Sequence, residues 1–286
     1  MSIERVFVAG AGLMGHGIAQ VHAAAGKQVI LYEPELARAE AGRTRIEGNL
    51  ERAVAKGRLS AEERAAVLGR IRATDDLREV EDADIAIEAV FEDEPVKTEL
   101  WGELDGRAPG RCIFATNTSS ISIDRLAAAI APGRRPAFVG MHFFSPVPVM
   151  PLVELIRGSA TEDGTEAAVR ALAAELGKQV IVSRDRPGFI VNRILMPLLR
   201  EAMIAYEEGL GTAEDIDTGA RVGLNHPMGP LQLADFIGLD VCLNVMKVLH
   251  EGLGDARFAP PAVLERLVAE GHLGQKTGQG FYRYPR

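Results

Sequence analysis

The stretch IERVFVAGAGLMGHGIAQVHAAAGKQVILYE, residues 3–33, decides how the first half of the chain folds. It opens with an apolar run at residues 6–9, whose length and β-branched content are typical of a parallel strand buried on both faces. A glycine turn follows, then a helix predicted from about Leu13 to Ala25, and a second strand at residues 27–32. This order predicts a βαβ unit.

The glycines of the turn have the spacing of a dinucleotide-binding site. Gly10, Gly12 and Gly15 fit G-x-G-x-x-G. The first permits a tight turn, the second lets the backbone approach a pyrophosphate, and the third lets the helix pack closely on the strand. A glycine-rich turn alone is common, but here the flanking strands and helix are present in order, so we predict dinucleotide binding.

Residues on either side of the helix predict which dinucleotide binds. Leu13 and Met14 lie at the expected start of the helix, where free amides and the helix dipole favour phosphate, and we predict that both contact the cofactor. Glu33 follows the second strand, 18 residues after Gly15, where a carboxylate accepts hydrogen bonds from ribose hydroxyls. Since a carboxylate repels the 2′-phosphate of NADP, the predicted cofactor is NAD.

Composition excludes several classes of protein. The 286 residues are 47% hydrophobic and 25% charged, as in an ordinary globular protein, and the net charge of −8 gives no general nucleic-acid footprint. No apolar stretch approaches the roughly 20 residues of a membrane span, and there is no signal-peptide pattern. Cys112 and Cys242 lack metal-binding or redox spacing, so no metal site is predicted. We expect a cytoplasmic protein that binds neither nucleic acid nor membrane.

Two later strands are predicted to end beside the same ligand crevice. Residues 83–90 lead into Glu92 and Lys97, and residues 111–116 lead into a polar cluster that contains Ser119. In open α/β sheets, ligands bind outside the carboxyl ends of the strands. These side chains are therefore candidates for ligand contacts, although the first turn of a charged helix and an ordinary helix cap explain the same residues.

A proline-rich turn predicts that one histidine faces one acid. Two apolar segments, 137–144 and 151–156, flank prolines that forbid a continuous strand or helix. If the chain turns back about Pro148, His142 and Glu154 lie opposite each other, each six residues away. A lone histidine on an apolar strand packs in the core more often than it catalyses. An acid at the symmetric position favours a general base instead, because it holds one ring nitrogen as N–H and stabilises the charged ring.

The remaining pattern divides the chain into two domains. We predict an α/β domain of Rossmann type with a mainly parallel sheet over residues 1–185, which carries an inserted helix pair at 34–72, and an all-α domain over 186–286. The insertion has nine Lys or Arg against six Asp or Glu, so it is either an anion-binding patch or a solvated helix pair. In the second domain, Asn192 is a satisfied core residue or faces a ligand, and Lys276 binds an anion or lies in a surface turn.

Seven motifs, in order along the whole chain, resemble the short-chain 3-hydroxyacyl-CoA dehydrogenases, including the 3-hydroxybutyryl-CoA dehydrogenases. They are GAGLMGHGIAQ at 10–20, NTSS at 117–120, GMHFFSPVPVM at 140–150, VEL at 153–155, PGFIVNR at 187–193, NHPMGPL at 225–231 and GQKTGQGFY at 274–282. The resemblance implies reversible, NAD-dependent oxidation of an (S)-3-hydroxyacyl-CoA, of short chain, to the 3-ketone.

The resemblance also assigns roles to single residues. It implies that His142 is the general base, that Glu154 orients it, and that Ser119 and Asn192 form hydrogen bonds at the substrate. Other matched positions imply contacts with NAD, namely Glu92, Lys97, Ser119, Ser145 and Lys276, or with coenzyme A, namely Asn49 and Lys56. Ser145 replaces the family's usual asparagine, Asn49 a serine of some members, and Glu33 the commoner aspartate. The resemblance further implies a homodimer formed through the helical domains.

Two alternatives remain open at this point. One is an NAD-dependent dehydrogenase of a free hydroxy acid, such as a sugar acid or a carnitine-like compound, since related enzymes share the fold and the histidine–glutamate pair. Such a substrate does not need a basic helix pair. The other is a sensor that binds NAD without catalysis, which does not need His142.

Overall fold

The computed structural model describes residues 2–285, which form two compact units that meet between Arg186 and Pro187. The first unit contains a single sheet. Its strands are β1 (Arg5–Ala9), β2 (Gln28–Tyr32), β3 (Ile71–Thr74), β4 (Ile85–Glu88), β5 (Ile113–Thr116), β6 (Phe138–Phe143), β7 (Leu152–Arg157) and β8 (Gln179–Arg184). The predicted α/β sheet domain followed by a helical domain is confirmed, and the division falls one residue beyond the predicted boundary.

The sheet order places the strand ends that matter for the site next to one another. The strands follow the order β3-β2-β1-β4-β5-β6-β7-β8, and β1 to β6 are all parallel to one another. The carboxyl ends of β1, β4, β5 and β6 therefore share one edge. Strand β3 was missed from the sequence, because its four residues, IRAT, are too short and too polar to produce a strand pattern.

Strands β6 and β7 form the antiparallel pair that the proline turn predicts. In their register Met141 pairs with Leu155, and His142 pairs directly with Glu154. The residues of β6 are all buried, since helices cover both faces of the sheet. The predicted juxtaposition of His142 and Glu154 is confirmed.

Helices of the first unit follow the strands closely. They are α1 (Leu13–Ala24), α2 (Leu36–Ala55), α3 (Ala61–Leu68), α4 (Glu94–Asp105), α5 (Ile123–Ala127) and α6 (Asp163–Glu175). The inserted pair, α2 and α3, forms as predicted. Helix α2 buries Ile46 and Leu50 at four-residue spacing, and α3 begins with a capping box in which Ser60 and Glu63 each bind the other's backbone N–H.

The second unit is helical, with α7 (Val191–Glu207), α8 (Ala213–Thr218), α9 (Pro230–Ile237), α10 (Leu239–Leu253) and α11 (Ala262–Ala269). The apolar pattern over residues 229–252 is that of one continuous helix, so the sequence predicts one helix where the structure has two; this prediction is wrong. Gly238 has φ +104, outside the helical region, and divides the segment into α9 and α10. Apolar periodicity continues across the break, so periodicity alone did not reveal it.

Candidate active site

The glycine turn after β1 fits a bound pyrophosphate. A Cβ on Gly10, whose φ is +100, would lie 2.5 Å from the carbonyl oxygen of Ala89, and a Cβ on Gly15 would lie 1.7 Å from that of Gly10. These two positions therefore accept only glycine. Gly12, the N-cap of α1, differs, because no heavy atom of the described residues lies within 4 Å of where its Cβ would be. The space in front of the amino end of α1 is therefore open at Gly12, and backbone amides at such a helix end bind phosphate.

Glu33 is held beside this turn. One of its carboxylate oxygens accepts a hydrogen bond of 2.6 Å from the backbone N–H of Ala11. The acid at the end of β2 is thereby fixed next to the glycines that precede α1, as the ribose-binding prediction requires. Leu13 is exposed in the first turn of α1, whereas Met14 packs partly against the core of the sheet domain.

Glu92 and Lys97 belong to an ion network at the ends of β4 and β5, in which Lys97 is buried and Glu92 reaches the surface. The Lys97 side chain is only 1% exposed, and its ammonium lies 2.5 Å from Glu88 and 3.3 Å from Glu92. Glu88 also accepts hydrogen bonds from Thr116 Oγ1 and Val90 N–H. Burial raises the pKa of Glu88 above its ordinary value, even though Lys97 opposes that shift. The positive charge of Lys97 is thus balanced by two carboxylates of the protein, and its contact with NAD stays a prediction.

Glu92 uses its other oxygen to shape the loop that carries Ser119. Its Oε1 accepts hydrogen bonds from the backbone N–H groups of Ser119 and Ser120 at 2.8 and 3.0 Å, and from the hydroxyls of Thr118 and Ser120. Burial favours a raised pKa for Glu92, but Lys97 and these donors outweigh it, and the pKa lies below its ordinary value. Glu92 therefore fixes the backbone from which Ser119 extends.

Ser119, His142 and Glu154 form one hydrogen-bonded row. Nε2 of His142 lies 3.0 Å from Ser119 Oγ, and Nδ1 lies 3.2 Å from Glu154 Oε2. The imidazole is 5% exposed, and the acid is fully buried. Because a carboxylate accepts hydrogen bonds, the neutral ring carries its proton on Nδ1 and leaves Nε2 as a base. The row stands at the same sheet edge as the glycine turn.

A basic cleft of about 500 Å³ lies within the first unit, between α1, the end of α2 and the segment after β6. Its lining includes Asn49, Lys56 and Ser145, so a predicted cofactor contact and both predicted coenzyme A contacts meet in one place. Arg52 and Arg58 line it as well, and among residues 2–285 no acidic residue does. Asn49 is held by Gln20 and Arg52 through its amide nitrogen and oxygen. The cleft thus offers three cations to an anionic ligand.

Asn192 and Lys276 belong to the second unit. Asn192 lies half-buried in the first turn of α7. Lys276 forms an ion pair with Asp240, with distances of 2.6 and 2.7 Å, and is about half exposed. Its loop is anchored by the buried Asp235, which accepts hydrogen bonds from the backbone N–H groups of Phe281 and Tyr282. The predicted roles of Asn192 and Lys276 stay predictions.

Comparison with known proteins identifies the chain. The family model described as 3-hydroxyacyl-CoA dehydrogenase, NAD binding domain, matches residues 5–186, and the model described as 3-hydroxyacyl-CoA dehydrogenase, C-terminal domain, matches residues 188–284. The chain belongs to the 3-hydroxyacyl-CoA dehydrogenase family. Its cofactor is NAD, and it is an oxidoreductase; both predictions are confirmed.

Relatives of this 3-hydroxyacyl-CoA dehydrogenase are similar over their whole length. A 3-hydroxybutyryl-CoA dehydrogenase of Bradyrhizobium diazoefficiens is 49% identical over 282 residues, which are 99% of this chain and 96% of the relative. The crystal structure of M. tuberculosis FadB2 has a TM-score of 0.97 at 44% identity, with all of both chains covered. The (S)-3-hydroxybutyryl-CoA dehydrogenase PaaH1 of Ralstonia eutropha has a TM-score of 0.95 at 44% identity, also with full coverage.

The residues that sequence reasoning missed in this dehydrogenase are mostly buried acids and the cations of the cleft. Glu88 ends an otherwise apolar strand, IAIE, and an acid inside such a run was the available signal. Arg52 and Arg58 were counted only in the charge surplus of 34–72. Among residues 2–285, no group of three or more His, Cys, Asp or Glu side chains is arranged as a metal site. No helix in this described part is both long enough and apolar enough to cross a membrane.

Proposed function

We propose that the chain oxidises the 3-hydroxyl of a short-chain (S)-3-hydroxyacyl-CoA, such as 3-hydroxybutyryl-CoA, to the ketone, and catalyses the reverse reaction. The observation that carries this proposal is the row Ser119–His142–Glu154 at the sheet edge that also holds the glycine turn. Relatives with almost half of their residues identical carry the name 3-hydroxybutyryl-CoA dehydrogenase, which favours the four-carbon substrate.

The row supplies a path for the substrate proton. Nε2 of His142 takes the proton of the 3-hydroxyl, while the hydroxyl of Ser119, 3.0 Å from that nitrogen, holds the substrate oxygen in line. Glu154 keeps Nδ1 protonated and stabilises the imidazolium that results. Bound NAD supplies the acceptor for the hydride that leaves C3. In the reverse direction the imidazolium returns its proton to the new alkoxide. We propose Asn192 as a further hydrogen-bonding residue at the substrate.

The NAD site is proposed to combine the glycine turn with polar groups near it. Gly10, Gly12, Gly15, Leu13 and Met14 surround the phosphates, and Glu33 binds the adenosine ribose. The predicted contacts of Glu92, Lys97, Ser119, Ser145 and Lys276 complete the set. Besides its predicted contact, Lys97 also supports the NAD site by holding Glu92, one of the two carboxylates beside its ammonium.

The cleft accounts for recognition of coenzyme A. Arg52, Lys56 and Arg58 face the cleft, and none of them has a carboxylate within 4 Å among residues 2–285. The nearby acids are engaged elsewhere, since Glu47 and Glu51 both pair with Arg64. Three cations without acidic partners suit the phosphates of coenzyme A, whereas a free hydroxy acid carries a single carboxylate. Asn49 adds a polar contact at the same wall.

A homodimer through the second unit completes the proposal. The apolar face of α7 leaves Ile194 68% and Leu198 39% exposed, and large apolar side chains elsewhere in this unit are also exposed, namely Leu210, Val222, Leu224, Phe236 and Val241. A second copy of the chain would cover them. Light scattering should give twice the chain mass, and Ile194→Glu with Leu198→Glu should give a monomer. We also propose a cytoplasmic location, since Cys112 and Cys242 are both free and buried.

The decisive assay compares two ketones as electron acceptors for NADH. Acetoacetyl-CoA should be reduced and free acetoacetate should not, because only the thioester carries the coenzyme A phosphates. His142→Ala should lower kcat by about 10²–10⁴-fold with NAD binding retained. Normal turnover in that variant would refute the proton path. Oxidation of free hydroxy acids alone would establish the alternative dehydrogenase, and NAD binding without turnover of either compound would point to a sensor.

A further inference from the structure

Lys178 holds the segment that joins the two catalytic strands. It lies in the turn between α6 and β8, and its ammonium donates hydrogen bonds to the carbonyl oxygens of Val147 at 2.6 Å and Met150 at 2.7 Å. Within residues 2–285 no carboxylate comes within 4 Å of this ammonium, so its contacts are with backbone rather than with an acid. Burial lowers the pKa of Lys178, which fits a half-buried cation without an acidic partner.

The segment that Lys178 binds, residues 145–150, has two functions in the fold. It connects β6, which carries His142, to β7, which carries Glu154. Its residues 145–149 also line the basic cleft, together with Arg52, Lys56 and Arg58. The segment contains a tight turn in which the backbone N–H groups of Val149 and Met150 both donate to the carbonyl oxygen of Pro146.

A second contact fixes the other side of the segment. Val147 is 2% exposed and packs directly on Gly17 of α1, where a Cβ would lie 2.9 Å from the Cβ of Val147. The segment is thus held between α1 on one side and the ammonium of Lys178 on the other. Removal of the ammonium would leave two carbonyls of the turn without their donor, and the wall of the cleft would then lose its fixed position.

We propose that Lys178 is a positioning residue for the thioester substrate, because it fixes residues 145–150 as the cleft wall that receives the coenzyme A portion. This inference rests on the proposed function, and it adds a residue that touches neither the reacting atoms nor the substrate. It predicts an effect on KM for the full thioester rather than on proton transfer, since Glu154 and His142 are also held by strand pairing.

The test compares Lys178→Met with the wild type on two substrates. Acetoacetyl-CoA should show KM raised about tenfold with kcat within about twofold, because hydrogen bonds to a charged group are lost at the cleft wall. The acetoacetyl thioester of N-acetylcysteamine lacks the nucleotide and most of the pantetheine, and its KM should not change. Lys178→Arg should restore most of the affinity. Lys247→Met, at an exposed lysine of the second unit, is the matched control and should resemble the wild type.

Hydrogen exchange provides a readout that does not depend on catalysis. In Lys178→Met the amides of Val149 and Met150 should exchange faster than in the wild type, while those of β6 stay protected. An equal rise of KM for both thioesters, or unchanged exchange in residues 145–150, would overturn the inference. If the variant does not fold, Lys178→Gln keeps one donor and carries the same tests. A wild-type protein that does not reduce acetoacetyl-CoA would refute the proposed function, whereas the exchange experiment would still decide the role of Lys178.

Discussion

Lys97→Met should destabilise the sheet domain, because it leaves a carboxylate buried without its cation. Glu88 is fully buried, and after the change it keeps two donors in the described part of the chain, Thr116 Oγ1 at 2.7 Å and Val90 N–H at 2.9 Å. Breaking one partner of a buried ion pair costs about 3–5 kcal/mol. A carboxyl of ordinary pKa 4.5 escapes this penalty by taking a proton, which costs about 3.4 kcal/mol at pH 7. We therefore expect a loss of about 3 kcal/mol in the free energy of unfolding.

By the same reasoning, the stability lost in Lys97→Met depends on pH. Protonation of Glu88 becomes easier as the pH falls, and at pH 5 it costs about 0.7 kcal/mol for the same ordinary pKa. The deficit of the variant relative to the wild type should therefore shrink to about 1 kcal/mol at pH 5. It should grow again as the pH rises, since a raised native pKa removes stability at higher pH.

Trp101 makes the unfolding measurement specific to the sheet domain. It is the one tryptophan of the sequence, it is fully buried in α4 one turn after Lys97, and it packs against Phe114 and Phe138. Urea unfolding followed by its fluorescence reports the sheet domain. The double variant Glu88→Gln with Lys97→Met removes both charges and should come within about 2 kcal/mol of the wild type. A loss below about 1 kcal/mol at pH 7, or a double variant as unstable as the sum of the singles, would show that Glu88 is protonated in the native protein.

Two further variants test polar groups elsewhere in the first unit. His22 is fully buried, and burial lowers its pKa from 6.5 to about 4, so stability is retained above pH 6.5 and lost as the pH falls toward 4. At pH 5 this loss is about 2 kcal/mol. His22→Leu should remove this decrease of the free energy of unfolding with falling pH, as measured by urea unfolding followed by Trp101 fluorescence. An unchanged pH dependence would show that other groups cause it. Glu33→Gln should raise KM for NAD about tenfold and reduce the preference for NAD over NADP, because the charge that repels a 2′-phosphate is gone. Steady-state kinetics with both cofactors measure this, and an unaltered preference would contradict the ribose role.

Local signals were sufficient for much of the fold. The βαβ unit at residues 3–33 carries its strands, glycines and helix within one short stretch, so each element can be inferred without knowledge of distant partners. The pairing of His142 with Glu154 also followed from local chemistry, since the prolines between them forbid regular structure and force a reversal near Pro148. The break at Gly238 was not predicted, because one glycine within an apolar helical pattern is compatible with both a continuous and an interrupted helix.

Two of the three lysines predicted to touch ligands, Lys56 and Lys97, show why the site was harder to infer than the fold. Lys56 lies at the end of α2 and lines an open cleft, whereas Lys97 is enclosed by Glu88 and Glu92. Both stand among charged residues in the sequence, and composition does not distinguish them. What differs is whether an acid reaches the ammonium, and that depends on the fold. Strand β4 brings Glu88 to Lys97 of α4, whereas Glu47 and Glu51 of α2 are paired with Arg64. Lys56 therefore remains available to a ligand because the fold leaves it no carboxylate within 4 Å among residues 2–285, and this follows from tertiary contacts rather than from the local charge count.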